Sequence, residues 1–373
     1  MRNPFVTKGY SGAEYFCDRV EETKNLIRLL TNENNMALIS PRRLGKTDLI
    51  QHFFAQPEIK DRYYCFLIDI YATNSLSDFV EVFGRAIFDV LKPFGRKAWE
   101  LFLTTIKSVQ QQVSFDINGN PMWGVGVGPF TSPTTTLEEI FTYLNSADRP
   151  CIVAIDEFQK ITEYRDGQNV EASLRTYIQR CTNATFLFSG SKRHLMTEIF
   201  LSPSRPFYQS VITMGLDVIQ VEKYAEFATY LFSINGKKLD ERIVPEVHKK
   251  FDGITAYLQR VMNVLFLNTG GGQMCTLNML DEAIDYILDL NDEHYRTLFS
   301  QLSEKQRQVF LAISEEGHAK NITGSEFVKK YRLISPSSVN SAVRGLLEKD
   351  FITYDNGEYI VYDRFFQKWL ERR

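Results

Sequence analysis

Four apolar residues, Met36 to Ile39, run without a break into Ser40-Pro41-Arg42-Arg43-Leu44-Gly45-Lys46-Thr47, and the next residues, from Asp48 through Phe54, carry helical spacing. A short strand, a loop closed by Gly-Lys-Thr and a helix opening on that tripeptide leave few arrangements available. Only where a strand ends and a helix opens do successive backbone N–H groups and the positive helix end converge on an anion. Lys46 is then placed to reach the outer phosphates of a nucleotide as a point charge, and the Thr47 hydroxyl to bind magnesium. The run matches G-x-x-x-x-G-K-[ST] except at its first position, where Ser40 stands for Gly. If that backbone needs positive φ, Ser costs about 1–2 kcal/mol more than Gly, which does not abolish binding. Pro41 has no N–H, so the remaining donors come from Arg43 onward.

About 110 residues later stands Cys151-Ile152-Val153-Ala154-Ile155-Asp156-Glu157, five apolar residues and then two carboxylates. Neighbouring residues on a strand point to opposite sides, so the two acids cannot share a task. Asp156 is expected beside the magnesium, and Glu157 to orient and deprotonate an attacking water. Two acids at a buried strand end without a cation would be costly. Both elements in this order are far more specific than either alone.

The net charge of −3 argues against a chain-wide polyelectrolyte surface for nucleic acid or anionic membrane. Fully apolar runs stop at about five residues, far below the ~20 that span a bilayer. The opening residues have no apolar core or small-residue cleavage site, so an unprocessed, cytoplasmic protein is expected. Cys17, Cys65, Cys151, Cys181 and Cys275 are widely spaced with no C-x-x-C pair, which points to small buried hydrophobes. Phe, at 28 residues, and Tyr, at 18, are the compositional excess.

Helical and strand periods alternate through residue 215: a helix over 19–31, the strand 36–39, a strand over 63–71, a helix after Ser75, a helix at 136–145, the strand from Cys151, a helix over 173–181 and a strand at 185–189. Such alternation predicts a parallel sheet covered on both faces. Between about 95 and 135 the pattern breaks into a helix over 99–109 and a hairpin around Asn118-Gly119-Asn120; Gly124, Gly126 and Gly128 lack a following helix and read as hairpin rather than as a phosphate loop. Four amphipathic helices follow at 222–234, 240–251, 255–268 and 276–290. From Leu302 three more helices and two short strands around Asn356-Gly357 look like a winged helix. The expected division is therefore an α/β domain over 1–215 with an insertion at 95–135, a helical lid over 216–300 and a winged-helix-like domain over 301–373.

These pieces together resemble the archaeal-type ATPases, P-loop proteins of the AAA-like and STAND groups. The matching text is FCDRVEETKNLIRLL (16–30), LISPRRLGKTDLI (38–50), IVAIDEFQKI (152–161), FLFSGSKRHLMTEIF (186–200) with SRPFYQS (204–210), DGITAYLQ (252–259) and the C-terminal winged-helix-like unit. It covers nearly the whole chain. The resemblance implies ATP and Mg2+ as cofactors, held by a cradle of Ser40, Pro41, Arg42, Arg43, Leu44, Gly45, Lys46, Thr47 and Asp48. It implies a five-stranded sheet in which the strand ending at Ser189 lies between those of Lys46 and Asp156. Ser189 or Ser191 would take the sensor position near the γ-phosphate. Residues 16–20, with Phe16 and Arg19, would lie against the adenine, and Gly253 and Tyr257 would close over the nucleotide, although Thr255 stands where the family commonly has Pro.

A transition-state cation has five candidates, Arg42, Arg43, Arg175, Arg180 and Arg205, which sequence does not rank. With no strong finger, slow hydrolysis and a switch role coupling ATP or ADP to lid and winged helix are expected. The alternative is a non-hydrolysing ATP-binding regulator or a DNA-binding protein. The third winged-helix helix offers Ser337, Ser338, Asn340, Ser341 and Arg344 to a DNA reader. Residues 300–373, however, hold 12 Lys/Arg against 10 Asp/Glu, so a protein-binding or autoinhibitory module is preferred to DNA, with no membrane contact. Sequence leaves the partner and the oligomeric state open.

Overall fold

The computed structural model describes residues 3–91, 113–115, 121–123 and 133–372. They form two compact units, one of Lys8–Ile219 and one made from the described residues of Met1–Thr7 and Gln220–Arg373.

In the first unit, β1 (Met36–Ile39), β2 (Tyr64–Asp69), β5 (Cys151–Asp156), β6 (Ala184–Gly190) and β7 (Ile212–Gly215) form one sheet in the order β2-β5-β6-β1-β7. All four pairings are parallel. β6 separates β1 from β5, as the resemblance implied. Parallel strands need crossovers, and the helices that supply them cover both faces, so the middle strands are buried on both sides and mostly apolar instead of alternating, with Thr185, Ser189 and Asp156 the polar exceptions. Val153 and Ile155 of β5 join Phe186 and Phe188 of β6 in one core, against the helices Leu76–Val90, Pro133–Asn145 and Gly167–Arg180. Ile152, Ala154 and Leu187 point the other way, into a core closed by Leu26 and Leu30 of α1 (Val20–Leu30) and by Leu49, Ile50 and Phe53 of α2 (Lys46–Phe54).

The phenylalanine excess finds its place in the first core. Phe158, Phe188, Phe200 and Phe207 form one interlocked group with centroid separations of 4.4–5.7 Å. Such tilted and edge-on pairs add about 0.5–1.5 kcal/mol each beyond area burial. Of the readings over 95–135, the hairpin is present as the antiparallel pair β3 (Val113–Phe115) and β4 (Pro121–Trp123). Its turn, the helix at 99–109 and the glycine run lie outside the described residues. Among the described residues the five cysteines form no disulfide; Cys17, Cys151 and Cys275 are buried. Burial pushes the thiols of Cys17, Cys65 and Cys151 up to about 12.

The second unit begins with the helices Val221–Ile234, Ile243–Lys250, Thr255–Asn268 and Asn278–Leu290, close to the four expected. The pair β8 (Lys238–Leu239) and β9 (Met274–Cys275) and the helix Asp292–Ser300 were not read from the sequence. The helices Glu304–Glu316, Ser325–Lys330 and Pro336–Glu348 follow, then β10 (Ile352–Asp355) and β11 (Glu358–Val361), antiparallel around Asn356 and Gly357, both at positive φ. This is the expected winged helix.

Beyond it comes a further helix, Arg364–Glu371, entered at Asp363, whose carboxylate accepts from the N–H groups of Phe365 and Phe366. Its Trp369 is buried and donates to Asp292 Oδ1 at 2.7 Å. Residues 3–7 also fall in this unit: Phe5 is fully buried among Phe227, Phe232 and Phe266, and Asn3 and Asn263 exchange amide bonds with the backbone of Asn263 and Phe5. The expected α/β domain had included them.

Candidate functional site

Parallel strands bring their C-terminal ends level. Ile39 pairs with Gly190, and Asp69 with Asp156, so the loop after β1 and the acids after β2 and β5 stand along one edge of the sheet. That edge is where α/β sheets bind ligands.

In the loop, positive φ falls on Arg43 (71°) and Gly45 (87°), not on Ser40. The departure from the glycine pattern at Ser40 therefore carries no backbone penalty of the kind weighed above. The strain sits at Arg43 instead, a non-glycine residue in a left-handed conformation, as functional loops often hold. Ser40 is buried, with its N–H toward Gly190 O at 3.5 Å. Leu44 is buried under the loop, and Asp48 in the first turn of α2 has its carboxyl pushed up by burial. The Lys46 ammonium folds back over the loop, donating to Ser40 O at 2.9 Å and Pro41 O at 2.8 Å. Burial lowers it to about 8 against the opposing pull of Glu157 and Asp156, with Arg42 adding to the fall.

Thr47 Oγ1 donates to Asp156 Oδ2 at 2.6 Å, so a loop hydroxyl and a strand-end carboxylate meet across 109 residues of chain. Both are hard oxygen donors and fit Mg2+, which keeps water and phosphate oxygens for most of its shell. Among the described residues no group of three or more His, Cys, Asp and Glu could hold a metal ion. A cation at Thr47 and Asp156 would thus complete its shell from the ligand. Asp69 faces the same acids from β2; burial raises its carboxyl, the Tyr71 N–H opposes this, and Asp156 and Glu157 raise it further.

Glu157 sits at φ 55°, a left-handed turn, and its carboxylate bonds to partners that Asp156 does not share. Its Oε2 accepts from Ser191 Oγ at 2.7 Å and also from Gln159 Nε2. Ser191 Oγ in turn accepts from Arg42 Nε at 3.1 Å. A chain of bonds thus runs from the loop arginine through Ser191 to Glu157. Ser189, the other serine considered, is fully buried on β6, and its hydroxyl finds no partner among the described residues. Gln159 was missed by the sequence reading. Its only signal was its place two residues after Glu157.

The expected adenine segment is built differently from an open wall. The Phe16 ring stacks on His52 of α2 at 4.3 Å, and Tyr10 closes on both, its hydroxyl 3.0 Å from His52 Nδ1. Arg19, buried and at φ 62°, pairs with Glu22 at 2.8 Å and donates to Asp217 O at 2.7 Å and Leu44 O at 3.5 Å. It braces the loop from behind. Gly253 and Tyr257 belong to the second unit. Gly253 has φ 66°; the Tyr257 ring is buried against Phe251 and Phe365, and its hydroxyl donates to Tyr362 O at 3.2 Å and accepts from Arg364 N–H at 3.0 Å.

One arginine candidate is committed to carboxylates within the first unit. Arg205 is paired with the fully buried Glu171 and, at 3.3 Å, with Glu198; Arg175 Nε is buried without a partner among the described residues. Burial pushes the Glu171 carboxyl up to about 7 although Arg205 pulls it down. Arg180, at the end of its helix, is exposed. On the winged-helix helix Pro336–Glu348, Ser337, Asn340, Ser341 and Arg344 are exposed along one face, and Ser338 is half-buried.

Comparison with known proteins agrees with this architecture. Residues 293–372 match the family model described as a probable winged helix domain. A Walker-type ATPase of Pyrococcus abyssi is similar over 99% of this chain and 99% of its own, at 17% identity and a TM-score of 0.66. The ORC2 protein of Aeropyrum pernix, solved in ADPNP and ADP complexes, is similar over 100% and 97%, at 11% identity and 0.61. The ORC1 protein of the same organism, in complex with DNA, is similar over 96% and 93%, at 12% identity and 0.54. No curated protein matches the chain in sequence. The fold is thus the P-loop ATPase α/β sheet followed by helices and a C-terminal winged helix, which fits the archaeal-type ATPases that the sequence resembles. No helix among the described residues is long and apolar enough to cross a membrane.

Proposed function

We propose that this protein binds Mg-ATP at the loop Ser40–Thr47 and hydrolyses it slowly, as a switch acting through its helical and winged-helix unit. The observation that carries the reading is the meeting of Thr47 and Asp156 at one end of the sheet, with Glu157 next to them on partners of its own. When bound, Mg-ATP would supply the γ-phosphoryl group and a cation that neutralises charge as the terminal bond breaks. The chain's own part is positional. The loop N–H groups from Arg43 onward and the start of α2 bind phosphate oxygens. Lys46 exchanges the carbonyls of Ser40 and Pro41 for phosphate. Thr47 and Asp156 hold the cation, and Glu157 orients a water and takes its proton.

Slowness follows from the arginines, since Arg205 is spent on Glu171 and Glu198 inside its own unit, Arg42 is tied to Ser191 and Arg19 braces the loop. The winged helix supports a switch because it is packed onto the turn that bears Gly253. Asp252, Phe251 and Tyr257 are joined to Arg364, Phe365 and Tyr362, so the expected lid and winged helix form one piece. In the switch, lid and winged helix therefore move together. The test is phosphate release from Mg-ATP by the wild type beside Glu157→Gln, with nucleotide binding measured in both. A slow rate that falls about 10²-fold or more in the variant, with binding retained, supports the reading. Binding without hydrolysis in either protein would make it a nucleotide-held regulator instead.

DNA is the second reading for the winged helix. It is favoured by the exposed polar face of Pro336–Glu348, and the similar ORC1 structure is of a DNA complex.

A further inference from the structure

Gln159 combines three observations. It is buried, in the short 3-10 helix Phe158–Glu163, directly behind the strand end that carries Glu157. Its Nε2 donates to Glu157 Oε2, an orientation that chemistry dictates, because a carboxylate only accepts. Its Oε1 is left buried with no partner among the described residues. An unpaired buried carbonyl is a cost that leucine or methionine at the same place would avoid. The neighbouring strand also makes room for the amide: a Cβ at Gly190 would lie 2.4 Å from Gln159 Oε1. Packing alone does not account for a polar side chain kept under these terms.

The bond also has a direction. Gln159 and Ser191 both donate to Oε2 of Glu157, from the two ends of the same carboxylate's surroundings, and Oε1 receives neither bond. Resting on the ATPase reading above, we propose that Gln159 is a positioning residue for Glu157: with Ser191 it fixes the carboxylate through Oε2 and leaves Oε1 to take the proton of the attacking water. Ser191 is tied to the phosphate loop through Arg42, whereas Gln159 is fixed to the sheet core, so it is the member of the pair that stays in place whatever the loop does. Free rotation of the Glu157 side chain would lose that orientation, and with it part of the rate, without touching nucleotide affinity.

The experiment measures kcat and KM for Mg-ATP in the full chain, together with nucleotide affinity, for the wild type, Glu157→Gln, Gln159→Met, Gln159→Leu and Gln159→Met in the Glu157→Gln background. The expected result is a fall in kcat of about 10- to 100-fold in Gln159→Met, with KM and affinity changed by less than about threefold, and no further fall in the double variant. Gln159→Leu repeats the measurement with a different shape should Met pack poorly. Wild-type kcat in both Met and Leu variants would overturn the proposal while leaving the ATPase reading intact. An equal further loss in the double variant would also overturn it, since Gln159 would then act independently of Glu157. Absence of hydrolysis in the wild type, or hydrolysis indifferent to Glu157→Gln, would overturn the ATPase reading and the proposal with it.

Discussion

Replacing Lys46 by Met tests how the loop holds its cation before nucleotide arrives. Lys46 is buried, and its ammonium is lowered from the ordinary 10.5 to about 8, chiefly by that burial. Its folded value lies below its unfolded one. Between pH 8 and 10.5 the unfolded chain therefore holds the extra proton, and the Lys46 contribution to stability rises with pH. At 1.36 kcal/mol per unit, the full penalty below pH 8 is about 3 kcal/mol, of which about 2 kcal/mol is relieved by pH 9.5. Methionine has no charge to bury, so the difference between wild type and Lys46→Met isolates this group from every tyrosine and cysteine that titrates in the same range. Urea unfolding of both proteins, free of nucleotide and metal, from pH 7 to 9.5 gives the difference directly. The wild type should gain about 2 kcal/mol on the variant across that range. A flat difference would refute the reasoning, because it would mean that the ammonium is solvated and not held under the loop. Phosphate oxygens beside Lys46 favour its charged form, so ATP affinity of the wild type should weaken toward tenfold per pH unit above about 8.

In the second unit, Arg364 is buried, is paired with Asp252 and donates to Gln367 Oε1 at 2.9 Å. Asp252 is 40% exposed and can turn to water, which discounts the ion pair; Arg364→Ala should cost about 2 kcal/mol and lower that unit's thermal transition by about 4–8 °C in calorimetry, with the sheet unit's transition unmoved. An unchanged transition would mean that the joint between the Asp252 turn and the last helix contributes nothing. Arg344→Ala tests the DNA reading of the exposed helix face: duplex DNA binding that weakens with salt in the wild type and is lost in the variant establishes it, and no binding by either at 50 mM salt, on the order of the low-salt limit where such contacts are strongest, leaves the winged helix to a protein partner.

What the sequence disclosed depended on how local the physics is. The loop, its helix and the acids after β5 were legible because each is a short run whose backbone dictates what its side chains face. The same locality explains the slip at Ser40: spacing says which residue replaces glycine, but only the folded loop shows that positive φ falls on Arg43. Ser191 could not be separated from Ser189 by pattern, since both flank Gly190; both are buried, and only past the end of the strand at Gly190 does a serine meet Glu157. Gln159 was invisible because its role is made by Gly190 and Glu157, thirty residues apart. β7 escaped because it is a mostly exposed edge of four residues. The helix Arg364–Glu371 did carry a signal, Asp363 before Phe365 and Phe366, but eight residues are too few for periodicity to speak.

Phe5 has a consequence for how the chain is made. Its ring is surrounded by Phe227, Phe232 and Phe266, so its partners are translated only about 220 to 260 residues after it. At roughly 5–20 residues per second that interval is on the order of tens of seconds, ample for Lys8–Ile219 to collapse beforehand. The sheet unit is thus enclosed, in sequence, between two segments that pair only after it has been made, and residues 3–7 act as a latch that closes once Phe266 has been translated.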